Sequence, residues 1–148
     1  DAPGGEQLLR LALNCLYALS HGLAPEKIVK AAFELRYMAL AGYAPELSGC
    51  AVCGRAEPVR PVAVLEAGVI RCRACSLPGA SGRQTELTPG ALAAARYLLR
   101  CDLKKLFSFT LGEEDLRRLG NFSESYLLTK LERSFRTLDF YKSVGEAE

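Results

Sequence analysis

The residues best suited to chemistry in this 148-residue chain are four cysteines. Cys50-Ala51-Val52-Cys53-Gly54 is answered by Cys72-Arg73-Ala74-Cys75, two Cys-x2-Cys pairs with eighteen residues between them. Two residues between thiols let both sulfurs of a tight turn face one ion, and two such turns complete a tetrahedron. Gly54 supports the first turn because glycine admits a positive φ. The spacing predicts a structural zinc ion held by Cys50, Cys53, Cys72 and Cys75. Four thiolates close the coordination shell and leave no position for a reactive water. The competing reading is two disulfides or four free thiols. Disulfides require an oxidising compartment, and no export signal is visible. A redox Cys-x-x-Cys would need a βαβ setting that the surroundings lack. Cys15 and Cys101, outside the cluster, read as small core residues.

Charge is the second chemical signal. The net charge of +2 is too small to announce a nucleic-acid binder by composition. Its distribution says more. Residues 50–83 hold Arg55, Arg60, Arg71, Arg73 and Arg83 against Glu57 and Glu66, whereas the flanking segments are nearly balanced. Arg71 and Arg73 either screen the thiolates or reach outward to the phosphates of a nucleic acid. A helical wheel of the last segment groups Leu127, Leu128, Leu131, Phe135 and Leu138 on an expected core face, with Lys130, Arg133 and Arg136 opposite and Glu132 and Asp139 beside them. That basic face is either simply solvated or a DNA-facing stripe. Arg36 falls among Val29, Ala32, Phe33 and Leu40, where it requires an internal carboxylate or serves to recognise an acidic peptide or phosphate.

The elements that carry these residues are predominantly helical. Gly5 to Ser20 is apolar around most of its circumference, broken by Arg10, Asn14 and His21, and predicts a mostly buried helix capped by Gly22. One of its faces is expected to sit against a neighbour, in keeping with a mean hydropathy of +0.06. Pro25 opens a second helix to about Leu40. Residues 47–83 turn proline- and glycine-rich, with Val62 to Leu65 a short strand. Such a region has too few large side chains to fold alone, so a metal would supply its stability. Thr88-Pro89 starts a third helix to about Arg100. Glu113-Glu114-Asp115 suits a helix start, and the last helix is expected from about Ser123 to Lys142. The expected fold is a mainly α bundle: residues 1–46 and 84–148 form the helical body, and residues 47–83 are a zinc-knuckle insertion with short β-strands.

Several function classes are excluded or weak. No apolar run reaches the roughly 18–20 residues of a membrane span. No nucleophile elbow, phosphate-binding glycine loop or metal-hydrolase histidine pair is present. His21, the one histidine, reads as a helix-end cap. A binding module is expected, not an enzyme. The first residue is Asp1 and not methionine, so further residues are expected upstream.

Phe33-Glu34-Leu35-Arg36, then Gly42-Tyr43-Ala44-Pro45-Glu46-Leu47 and the Cys-x-x-Cys-Gly knuckle, resemble the C-terminal part of the RecO family of bacterial recombination mediators. Leu87-Thr88-Pro89-Gly90, Arg96-Tyr97-Leu98-Leu99 and Leu131 to Phe140 extend the resemblance in order over nearly the whole chain. The resemblance implies a DNA-repair and recombination function in the bacterial cytoplasm, at the nucleoid. It implies an upstream OB-fold, which would precede Asp1, and a helical body carrying a zinc knuckle. It implies binding of single- and double-stranded DNA, of RecR and of the acidic, apolar-ended tail of single-stranded-DNA-binding protein, with strand annealing and recombinase loading as outcomes. Arg71, Arg73, Lys130, Arg133 and Arg136 are the candidate DNA contacts, and Arg36 the candidate partner contact. The alternative is a zinc-knuckle module that docks proteins without touching nucleic acid.

Overall fold

The computed structural model describes residues 4–76 and 82–147, apart from the side chains of 139–144 and 146–147. Four helices and a small sheet follow one another: α1 (Gly5–Ser20), α2 (Glu26–Leu40), β1 (Glu46–Cys50), β2 (Val62–Val64), β3 (Val69–Arg71), β4 (Gln84–Glu86), α3 (Pro89–Arg100) and α4 (Glu113–Ala147). The mainly α class with a cysteine-bearing β insertion is as the sequence predicts.

Helix α2 is the hub. It packs against α1, α3 and α4, and Ala31 and Ala32 on its buried side let the neighbouring backbones come close. Helix α3 begins where its residues dictate: Thr88 caps it by accepting the Ala91 N–H at 3.1 Å, and Pro89 occupies the first turn. Helix α1 ends as expected at Gly22, whose φ of 62° lets the Leu23 N–H return to the Ala18 carbonyl at 3.0 Å. His21 fills the C-cap, its Nδ1 3.1 Å from the Tyr17 carbonyl.

Two faces differ from the expectation. Helix α1 is not mostly buried: Leu11, Cys15 and Ala18 meet the core, whereas Leu9, Leu13 and Leu16 are exposed, Leu16 by 61%. Only α2 covers it closely, and one neighbour can bury one stripe. On α4 most of the predicted core face is turned outward, Leu127 alone of its five residues packing against the core. Leu128, Leu131, Phe135 and Leu138 are exposed, while the buried line runs through Leu119, Phe122, Ser123, Tyr126 and Thr129. The two large aromatics win the core, and every residue from 131 to 138 is exposed, the contact there being a polar one through Glu132. Asp139, expected beside the basic face, lies outside the described side chains.

Helix α4 is also a single element of 35 residues, joining the predicted start at Glu113 to the later helix through Gly120. A glycine in a helix costs about 1 kcal/mol, which the burial of Leu119 and Phe122 on either side outweighs.

The sheet has the order β1-β3-β2-β4. Strand β1 runs parallel to β3, while β2 pairs antiparallel with β3 and with β4. Of these, only β2 falls where the sequence predicts a strand; β1, β3 and β4 are short strands that pairing adds. Leu47, Ala63, Leu65 and Ile70 join Leu35, Leu92 and Phe122 in one apolar cluster, so the sheet takes its burial from the helices.

Candidate metal centre and the basic surface

The fold brings the four predicted ligands together. Cys50 ends β1, Cys53 follows in a turn that closes with the Gly54 N–H on the Cys50 carbonyl at 2.9 Å, and Cys72 and Cys75 bracket a short 3-10 turn after β3. All four sulfurs lie within 4.8 Å of one another, and Cys53 Sγ is 3.8 Å from Cys72 Sγ. A tetrahedral ion with metal–sulfur bonds of about 2.3 Å sets its sulfurs about 3.8 Å apart. A disulfide would need about 2.05 Å, and all six cysteines are free. The donor set therefore fits a metal ion.

The electrostatics agree. The N–H groups of Val52 and Cys72 point at Cys50 Sγ from 3.4 and 3.3 Å. Burial pushes the Cys50 thiol up, but donation from the Cys53, Cys72 and Val52 backbones outweighs it and brings the group down to about 6. Cys75 moves the other way, to about 12, through burial and the nearby Cys50 and Cys53 sulfurs. Burial and the crowding of sulfurs raise Cys72 as well, so neighbouring thiolates here call for a cation to balance them.

The arginines of this region are placed unequally. Arg73 ion-pairs with Glu86 on β4. Arg71 lies on β3 with a buried Nε that has no hydrogen-bond partner among the described residues. Arg55 and Arg60 line a cavity with Cys53, Cys72 and Cys75 and have no carboxylate partner among the described residues. Arg83 reaches Glu132 on α4 at 2.7 Å and Glu66 at 3.4 Å, binding the knuckle to the helix.

The α4 candidates separate as well. Lys130 is not a solvated base: its Nζ donates to the Glu66 carbonyl at 3.0 Å and stands 5.2 Å from the Tyr126 ring centre, and burial lowers its pKa. Arg136 pairs with Glu132 at 2.7 Å. Arg133 and Arg136 line an open cleft of about 470 Å³ with Arg83, Thr129 and the carboxylates Glu66 and Glu132. The expected internal ion pair of Arg36 is absent among the described residues. Its Nη1 donates to the Leu98 and Cys101 carbonyls at 3.2 and 2.8 Å, closing the C-terminal end of α3 where the helix dipole favours a cation. Arg36 also borders a small cleft with Arg10 and Asp102, apart from the knuckle residues.

A family described as "Recombination protein O C terminal" matches residues 5–139. The chain belongs to the RecO family. It is 35% identical over 140 residues to the DNA repair protein RecO of Acetivibrio thermocellus, covering 93% of this chain and 54% of that one. It is 30% identical to the DNA repair protein RecO of Heliobacterium modesticaldum, over 97% of this chain and 53% of the relative. The chain thus spans about half the length of the curated relatives it matches. No solved structure matches it.

Stretches that carry the RecO resemblance join the body to the knuckle. Within Gly42 to Leu47, the Tyr43 carbonyl accepts the buried Tyr126 hydroxyl at 2.6 Å. Arg96 on α3 donates to the Leu47 and Ala56 carbonyls and to Glu57 at 2.8, 2.7 and 2.6 Å, a clamp on both sides of the first thiol pair. Sequence reasoning missed this role for Arg96. Its acceptors are mainly backbone carbonyls, which leave no residue-type signal. No helix among the described residues is long and apolar enough to cross a membrane.

Proposed function

We propose that this chain is the C-terminal part of a non-enzymatic mediator of DNA repair and homologous recombination, working in the bacterial cytoplasm at the nucleoid. Its four thiols hold a structural zinc ion, which stiffens the knuckle and supplies no reaction chemistry. Basic side chains on the knuckle and on α4 contact single- and double-stranded DNA. The helical body engages RecR and the acidic tail of single-stranded-DNA-binding protein, with Arg36 a contact for a partner. Together these promote strand annealing and recombinase loading. Membership of the RecO family across residues 5–139 carries the reading, since it covers body and knuckle alike.

The test uses the zinc-loaded chain and labelled single- and double-stranded DNA. Reversing charge at Arg71 and Arg73, or at Arg133 and Arg136, should weaken binding and flatten its dependence on salt, because a phosphate that is no longer neutralised keeps its counterion. Binding unchanged across the salt titration would dismiss the electrostatic interface. A second reading, docking of a protein without nucleic acid, is favoured by the exposed apolar residues of α1. Measuring DNA and acidic-tail peptide on the same sample separates the two.

A further inference from the structure

Beside the thiols lies a cavity of about 430 Å³ lined by Arg55, Val59, Arg60, Arg73 and Ala74 together with the cysteines. A single ion among the sulfurs would fill only a small part of that space, which is in the range of small-molecule sites. Its walls are mainly apolar, and its cations are three guanidinium groups, set against the −2 that a zinc ion with four thiolates would carry. Arg73 is held by Glu86, whereas Arg55 and Arg60 lack a carboxylate among the described residues. Val59 is 57% exposed although nothing in its own turn requires an apolar residue there.

Arg60 supplies an independent observation. Its φ of 51° makes it the one non-glycine residue in the left-handed region among those described. The strain is held from both sides: the Val59 carbonyl accepts the Arg73 N–H at 3.1 Å, and the Pro61 carbonyl accepts the Leu87 N–H at 2.8 Å. Backbone strain fixed by its surroundings concentrates at binding sites. Here it belongs to an arginine at the cavity that has no carboxylate partner among the described residues.

We propose that this arginine-rimmed cavity binds one unstacked nucleotide of single-stranded DNA, its base against Val59 and Ala74 and the adjoining phosphates on Arg55 and Arg60. Guanidinium planes and apolar side chains accept the face of any base, and guanidinium forks match phosphate oxygens. The cavity walls offer few groups to read a base edge, so binding is tolerant of sequence. A peptide anchor is disfavoured by the same features, because the site has little but guanidinium to satisfy a peptide backbone. The inference rests on the DNA-binding reading above and narrows it to one place.

The experiment compares zinc-loaded protein binding to oligothymidylate and to an abasic oligomer of equal length. The wild type should bind the abasic strand several-fold more weakly, because one base loses its apolar contact with Val59 and Ala74. Val59→Ser should reduce that preference, whereas Arg55→Gln with Arg60→Asn, in which asparagine tolerates the left-handed backbone, should weaken binding of both strands and lower the salt slope by about 1.4. Zinc content and helical circular dichroism should be unchanged. Equal wild-type affinity for the two strands overturns the base pocket without any variant. If Arg133→Ala with Arg136→Ala abolishes DNA binding while the knuckle variant does not, the DNA-binding function stands and this site falls. Absence of binding to either strand sinks both. Capture of an acidic peptide that depends on Arg55 and Arg60, without capture of oligothymidylate, assigns the cavity to a protein partner and overturns the proposal.

Discussion

At the scale of residues, the candidate metal ligands are the easiest to read and Arg36 the hardest. Two Cys-x2-Cys turns specify their own local geometry, and a spacing rule for sulfur needs no tertiary information. Cys72 is buried, with its Sγ 3.8 Å from Cys53 Sγ. Replacing it as Cys72→Ser should eliminate stoichiometric zinc in the purified protein, measured by elemental analysis under reducing conditions. Retention of one zinc per chain would show that the other thiols suffice. For Arg36 the sequence predicts a carboxylate, yet two carbonyls at the end of α3 serve it. Arg36→Ala should cost about 1.5–3 kcal/mol, the range for hydrogen bonds to a charged group, as a lower urea midpoint with unchanged slope. Arg36→Lys should recover part of it, since an ammonium on a shorter stem still meets the dipole but reaches the two carbonyls less well. The acceptor is invisible in the sequence because every residue owns a carbonyl, whereas a cysteine announces itself.

At the scale of elements, helix starts are legible and helix orientation is not. Thr88, Pro89 and the acidic triplet at Glu113 act on the nearest backbone groups, so their effect can be read in place. The rotation of α4 about its axis depends on what α2 and the sheet leave open. Tyr126→Ala should therefore cost about 3–5 kcal/mol, as a buried aromatic does, while Phe135→Glu should fall within about 0.5 kcal/mol of neutral, both by chemical denaturation. A wheel drawn from the sequence alone predicts the opposite ranking for Phe135. Gly68, in the turn between β2 and β3, makes a sharper test. Its φ is 68°, and a Cβ there would stand 2.9 Å from the Tyr126 hydroxyl. Gly68→Ala should destabilise by more than about 1 kcal/mol, and by less when introduced into Tyr126→Phe, a background that lacks both the clashing hydroxyl and its bond to Tyr43; the cost should not vanish there, since the strained φ persists.

For the whole molecule, the decisive feature is that sheet and helices share one apolar cluster, with Leu47, Ala63 and Ile70 beside Leu35 and Leu92. Metal removal should then lower the melting temperature of the entire chain in one transition. Helical circular dichroism and near-ultraviolet tyrosine signals should coincide; two separate transitions would mean that the knuckle folds independently of the body. The sequence by itself determined the helical class, the ends of α1 and α3, and the four sulfurs that meet, because each depends on residues within a turn or two of each other or on a spacing rule that sulfur alone obeys. Tertiary structure alone decided the parallel pairing of β1 with β3, the outward face of α4, the exposed leucines of α1, and the carbonyls gripped by Arg36 and Arg96. Those outcomes depend on which surfaces compete for a limited core, and that competition is settled only between segments far apart in the chain.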